Sequence, residues 1–244
     1  MNTFLAIAFF FRILTFAFAI DGGADDDDDD DGLTKCDDVQ PMNDFDSDKY
    51  FEKLTHVYTT HSRGGDRLGV CLELKTSKDS SGAISYNYEF NGNGKPEDWI
   101  KAYTVNCTGT EDSEHKGQFS FDCTQKLDLD LESIKEDLLK EAKTDKEKAE
   151  VEEGIKNTDE GVHKDEFPLK VAVLSTDYKE YALIHSCADM KIENTTYLVD
   201  NYVVFNVKED AELPEEVKQK FKGYGWQENK FVTREICKNA EIKK

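Results

Sequence analysis

A chain of 244 residues with a formal charge of −21 is long enough for one sizeable domain and too acidic to sit well against nucleic acid or an anionic membrane surface. Basic proteins and small cations are the partners such a surface attracts. Residues 1–19 form a largely apolar run broken by Arg12 and closed by Ala17-Phe18-Ala19, the small-x-small pattern cleaved by signal peptidase. The run is short for a membrane anchor and is followed by acidic residues instead of a basic stop-transfer flank, so a secreted chain starting at Ile20 is expected.

Residues 20–35 are an acidic leader holding the unbroken run Asp25 to Asp31, which repels itself and is expected to be disordered. Its Asp27-x-Asp29-x-Asp31-Gly32 spacing imitates a calcium-binding EF-hand loop. The twelfth position is Asp38 instead of Glu and no flanking helices are readable, so a solvated tail is the reading adopted.

Secretion governs the reading of Cys36, Cys71, Cys107, Cys123, Cys187 and Cys237, since an even count in an oxidising compartment signals a disulfide framework. No C-x-x-C occurs, which removes the zinc-ribbon and thioredoxin-like spacings. Six cysteines allow about fifteen pairings, and spacing does not choose among them.

From residue 50 to 207 short apolar segments are punctuated by Gly, Asp and Asn turns, the pattern of an antiparallel all-β domain. Eight strands are predicted, at 54–61, 70–77, 83–90, 99–108, 117–126, 167–175, 180–188 and 196–207. In the third, Ile84, Tyr86, Tyr88 and Phe90 alternate with Ser85, Asn87 and Glu89, so Tyr86 and Tyr88 point away from Glu89. An up-and-down barrel arranges eight such strands without exposed edges. Residues 127–165 interrupt the rhythm: they are dense in charge, carry Leu131, Ile134, Leu138 and Ala142 at helical spacing, and hold two capping-box patterns, Ser133-x-x-Glu136 and Thr144-x-x-Glu147. A helical hairpin inserted between strands five and six is expected. Residues 213–223 read as a helix packed outside the barrel, with Leu213, Val217 and Phe221 on one face.

Catalytic chemistry is not legible. The five histidines lack metal-ligand spacing, and His56 and His61 fall on opposite faces of a regular strand. There is no G-x-S-x-G, no phosphate-binding glycine loop and no surplus cysteine, so neither an enzyme nor a metal site is expected. Asn106 and Asn194 begin glycosylation acceptor patterns, the first with Cys107 at its centre, which makes Asn194 the better candidate.

Five separated motifs and the six cysteines in order carry a family resemblance. Lys49-Tyr50-Phe51, then His56-Val57-Tyr58-Thr59-Thr60-His61-Ser62-Arg63, then Gly117-Gln118-Phe119-Ser120 before Cys123, then Ser175-Thr176-Asp177-Tyr178-Lys179, then Tyr181-Ala182-Leu183 before Cys187 closely resemble the triabin and pallidipin group of salivary lipocalins from blood-feeding triatomine bugs. The resemblance runs from Cys36 to Cys237, within a domain taken as 36–244. It implies an eight-stranded up-and-down lipocalin barrel, monomeric, with bridges Cys36–Cys187, Cys71–Cys237 and Cys107–Cys123. It also places the insert after strand five at the barrel's open mouth, beside the 62–69 loop. The Gly-x-Trp of most lipocalins is missing from the first strand. Glu89 stands where haem-binding relatives carry their axial His, so haem is not expected as a cofactor.

Two functions are implied by the resemblance. One is a trap for a small host mediator such as thromboxane or a related prostanoid, inhibiting platelet aggregation, with Arg63 at the mouth supplying charge for the ligand's carboxylate and His185 beside it as a second donor or as a satisfied core histidine. Were Glu89 to face inward, a biogenic amine becomes the better ligand, with Tyr86 and Tyr88 on the other face. The other function is inhibition of thrombin or contact-pathway factors through the acidic surface, steered by charge.

Overall fold

Alternating burial decides the architecture. The structure is a computed structural model, described here for residues 35–63, 70–90, 100–156, 161–192, 195–223, 226–227 and 231–238. The signal peptide, the Asp run, the EF-hand-like spacing before Lys35, and Asn194 lie outside these residues.

The strands are β1 (His56–Ser62), β2 (Glu73–Lys78), β3 (Ile84–Phe90), β4 (Ile100–Glu111), β5 (Gln118–Leu129), β6 (Val162–Thr176), β7 (Tyr181–Ile192) and β8 (Thr195–Asn206). All neighbours pair antiparallel in sequence order, and β1 pairs with both β8 and β2, which closes the barrel. Strand β5 shows why: Phe119, Phe121, Cys123, Gln125, Leu127 and Leu129 are buried, and the residues between them face outward. A short ninth strand, β9 (Val232–Thr233), pairs with the end of β1 from outside, and a bulge between Thr59 and His61 bends β1 there. The bulge also corrects the expectation for the two histidines. His61 pairs with the outward-facing Val204, so it shares the outer face with His56.

Strands β4 to β7 run further than the sequence predicts. Residues 164–166 are charged and Pro168 lacks a ladder donor, so the segment before Phe167 looks like the end of the insert. It is nevertheless the first half of β6, because β5 offers partners as far as Asp128.

Two apolar layers result. Val57, Leu74, Ile84, Tyr86, Val105, Phe121, Ile184 and Phe205 belong to the core inside the barrel. Leu174, Leu183, Tyr202 and Val204 form an outer layer with Leu213, Val217 and Phe221, the last two on the C-terminal helix Glu215–Gly223. Each such side chain contributes about 1.5–3 kcal/mol when removed from water.

The two ends of the barrel differ. One end is stoppered by helix α1 (Ser47–Lys53), which the sequence did not reveal. Asp46 caps it by accepting from Lys49 N–H, and Phe45 and Phe51 set their rings against Phe119. The turn at Gly117 there has φ +83°, which favours glycine, and a Cβ would press on Phe45 and Pro41 at 3.2 Å.

Strands β1, β3, β5 and β7 run toward the other end. Between β5 and β6 stand α2 (Leu131–Glu141) and α3 (Asp145–Lys156). Ile134 and Leu138 of α2 join the inner core, whereas α3 has no fully buried residue and sets only the partly buried Val151 and Ile155 against it. The Ser133 capping box does not form: Asp130 caps α2 by accepting from Ser133 N–H, which places Ser133 inside the first turn. The Thr144 box does form. Glu147 Oε2 accepts from Lys143 and Thr144 N–H, and Thr144 Oγ1 accepts from Glu147 N–H.

The backbone donors of Lys143 and Thr144 hold the Glu147 carboxyl below its ordinary value. A lowered carboxyl stabilises the fold fully above its unfolded value and loses that contribution as pH falls through the folded one. An NMR pH titration is expected to show the start of α3 fraying in acid before the barrel amides respond, and Thr144→Ala is expected to produce the same fraying at neutral pH. Simultaneous loss of α3 and barrel signals would contradict this.

The C-terminal helix Glu215–Gly223 is α4, and α5 (Glu235–Lys238) ends the described chain. Three disulfides join Cys36 to Cys187, Cys71 to Cys237 and Cys107 to Cys123, the set implied by the resemblance.

Candidate functional site

Strand alternation sorts the candidate residues between the lumen and the outer wall. Tyr86 and Tyr88 face the lumen. Tyr86 is 2% exposed, stacks on Phe121 with ring centroids 5.1 Å apart, and meets Tyr88 edge-on at 5.2 Å. Its hydroxyl is buried and makes no well-formed hydrogen bond among the described residues, having only a loose approach from the Tyr88 side chain. An unmade hydrogen bond of this kind costs about 1–3 kcal/mol. Burial, reinforced by Tyr88, pushes the Tyr86 phenol well above its ordinary value, so it stays a protonated donor.

A polar chain crosses the neighbouring wall. Tyr103 O–H donates to Gln125 Oε1 at 3.3 Å, and Gln125 Nε2 donates to Asp165 Oδ2 at 3.0 Å. Gln125 and Asp165 are directly paired on β5 and β6 and share a face, which turns Asp165 inward toward the mouth. Asn201 and Ser62 supply a further polar pair, Nδ2 to Oγ at 2.8 Å.

Glu89 is not a lumen residue. It lies on the outer face of β3, ion-paired at 3.0 Å with Lys75 of β2, so the condition under which it would favour an amine is not met. Arg63 is corrected likewise. It follows the inward-facing Ser62 by one residue, and alternation turns it out through the wall. Its guanidinium stacks on Trp226 at 4.4 Å and Tyr202 at 5.4 Å and lies 4.0 Å from Asp37.

His185 also faces outward, because the inward residues of β7 are Ala182, Ile184 and Ala188. It stacks near Tyr202 at 4.8 Å and bonds Asp200. Arg63 and His185 both lie against the Tyr202 ring, outside the barrel. Burial acts to raise the Asp200 carboxyl, and the hydrogen bonds from His185 and from Asp37 N–H outweigh it, holding Asp200 below its ordinary value. Asn106 sits exposed on the outer face of β4, while Cys107 behind it is bridged inside.

Sequence reasoning missed Tyr103, Gln125 and Asp165. The alternation from Cys123 through Gln125 to Leu127 carried a signal for Gln125. Asp165 had none, since it looked like one more charge of the insert.

A family model described as Triabin matches residues 31–138 and 133–220. Pallidipin of Meccus pallidipennis is 29% identical over 182 residues, covering 74% of this chain and 75% of that protein. Dipetalodipin of Dipetalogaster maximus is 26% identical over 239 residues, covering 96% and 97%. Among solved structures, the tryptamine complex of the amine binding protein of Rhodnius prolixus superposes with a TM-score of 0.50 at 16% identity, over 86% of this chain and 95% of that one, a likeness of fold. The eight-stranded closed barrel, the matched residues spanning most of the chain and these relatives from triatomine bugs together make it a member of the Triabin family, with a lipocalin barrel.

Proposed function

We propose that the chain is a secreted salivary trap, without catalytic turnover, that opposes host haemostasis by sequestering a small mediator in the barrel. The observation carrying this reading is the Tyr86 hydroxyl, buried in an aromatic lumen with only a loose approach from Tyr88 and no well-formed hydrogen bond among the described residues. A ligand that brings an oxygen acceptor to it relieves an existing penalty, which is the geometry of a site and not of a sealed core. A thromboxane or prostanoid, apolar along its body and carrying several oxygens, suits such a lumen. Its anchors are then the neutral donors Tyr86 and Tyr88, since Arg63 and His185 stand outside the wall.

A second reading is favoured by Asp165. A carboxylate facing the lumen through Gln125 suits an ammonium group, so a biogenic amine is the alternative ligand.

Titration calorimetry with a stable thromboxane mimic and with tryptamine tests both. Tyr86→Phe is expected to weaken the mimic about tenfold while raising the stability of the free protein by about 1 kcal/mol. Asp165→Asn is expected to leave the mimic unaffected and to abolish any tryptamine binding. If Tyr86→Phe binds the mimic as tightly as the parent protein, or neither ligand binds, the lumen reading fails.

A further inference from the structure

The outer face of β7 and β8 carries a cluster that the lumen does not use. Cys187 lies directly across from Asp200 in the ladder, and its bridge to Cys36 sets Asp37 over that pair. From there Asp37 N–H donates to Asp200 Oδ2 at 2.5 Å. His185, two residues before Cys187 on the same face, places Nε2 2.5 Å from Asp200 Oδ1. Ligand-capable atoms of Asp37, His185 and Asp200 all lie within 4.8 Å of one another. The His185 and Asp200 side chains are only 5% and 6% exposed, whereas Asp37 opens to solvent.

We propose that Asp37, His185 and Asp200 form a binding site for a divalent transition-metal cation of the Zn²⁺ type. One imidazole nitrogen and two carboxylates are borderline ligands suited to such an ion, and three protein ligands leave a fourth position for water on the open Asp37 side. Two carboxylates supply negative charge for the dication, Asp37 sharing its own with Arg63.

The surroundings orient these ligands. Tyr202 O–H donates to Asp37 Oδ2 at 2.8 Å and the Arg63 guanidinium lies 4.0 Å from the same oxygen, which fixes the orientation of the carboxylate. Trp226 and Tyr202 hold Arg63 by stacking. Two of the three ligands come from adjacent strands, and the third is tied beside them by a disulfide, so little ordering entropy is lost on binding. Without metal the cluster closes on itself through the His185–Asp200 bond. The cation replaces that one hydrogen bond with coordination and need not open a void. The site is independent of what the lumen holds.

The test uses the full, disulfide-intact protein stripped with EDTA and dialysed. It is titrated with ZnCl₂ by calorimetry and with CoCl₂ by visible absorption. The expected result is saturable uptake of one ion, with visible bands of low-coordinate Co²⁺. Asp37→Asn is expected to weaken uptake at least about tenfold and His185→Gln to abolish it. Zn²⁺ is expected to raise Tm in the parent protein and in neither variant. Should His185→Gln fail to fold, the exposed Asp37→Asn decides the matter. No saturable uptake, or uptake unchanged in Asp37→Asn, would overturn the site and assign any bound cation to the acidic leader.

Discussion

Replacing Cys71 and Cys237 together by alanine is expected to lower the unfolding free energy by about 5 kcal/mol, against about 3 kcal/mol for replacing Cys107 and Cys123. The difference follows from the chain each bridge closes, 166 residues in the first case and 16 in the second. A longer closed loop removes more conformations from the unfolded ensemble, and the dependence is logarithmic, so a tenfold longer loop adds only about 2 kcal/mol. The structure gives the Cys71 bridge a second role. Cys237 lies in α5, which follows β9, so this bridge ties that turn to the start of β2 across the bulged end of β1. The Cys107–Cys123 bridge joins residues already paired in the β4–β5 ladder and adds less that is new. Urea unfolding checks this, and equal losses for the two double variants would contradict it. A steeper denaturant dependence is expected for the Cys71/Cys237 variant, whose unfolded state exposes more surface.

Arg234→Ala is expected to cost about 3 kcal/mol, the largest effect of any single charge removal among the described residues. Arg234 is 4% exposed. Its Nη1 donates to Val70 O at 2.9 Å and to Leu72 O at 3.1 Å, its Nε and Nη2 both reach Glu209 Oε1 at 3.1 Å, and its guanidinium lies 4.9 Å from the Tyr58 ring centre. One side chain thus joins the start of β2, the face of β1 and the turn after β8. Alanine leaves two carbonyls without their donor, each costing about 1–3 kcal/mol less whatever water restores. Arg234→Lys is expected to recover less than half, because one ammonium cannot serve both carbonyls and Glu209 in that plane. Cys71 adjoins Val70, and Cys237 N–H donates to Arg234 O at 3.0 Å. The Arg234 and Cys71/Cys237 changes are therefore expected to combine for less than their sum, and a double-mutant cycle by urea unfolding measures the shortfall.

The strands were legible where one face is apolar and the other polar, as in β3 and β5, since a period of two leaves few other structures. Strand β6 was legible only from Phe167 onward. Its first half is charged, and its pairing is dictated by the length of β5 and not by its own residues. Helix α1 was invisible because Ser47–Lys53 is two turns long, too short for a periodic signal, and is held by Phe119 of β5 on the barrel floor. The cysteines said that three bridges form, and family likeness chose the pairing, for no spacing rule connects Cys36 to Cys187.

At the candidate sites the division is sharper. Local alternation placed Tyr86 and Tyr88 on the face opposite Glu89, a relation internal to one strand. Which face became the lumen was decided only when eight strands closed and the larger apolar set had to be buried. Arg63 and His185 have the same chemistry inside or outside a wall, so their exclusion from the lumen depended on register, which a bulge at Thr59 and the closing β1–β8 pairing set. Asp165 gained its meaning from Gln125, forty positions away, and Asp37 gained its own from Asp200 and His185 across a disulfide. The sequence by itself determined strand faces, capping and the number of bridges, because those depend on neighbours within a few residues. Tertiary structure alone decided which charged groups meet, because the partners are joined by ladder pairing and cross-links that no local pattern encodes.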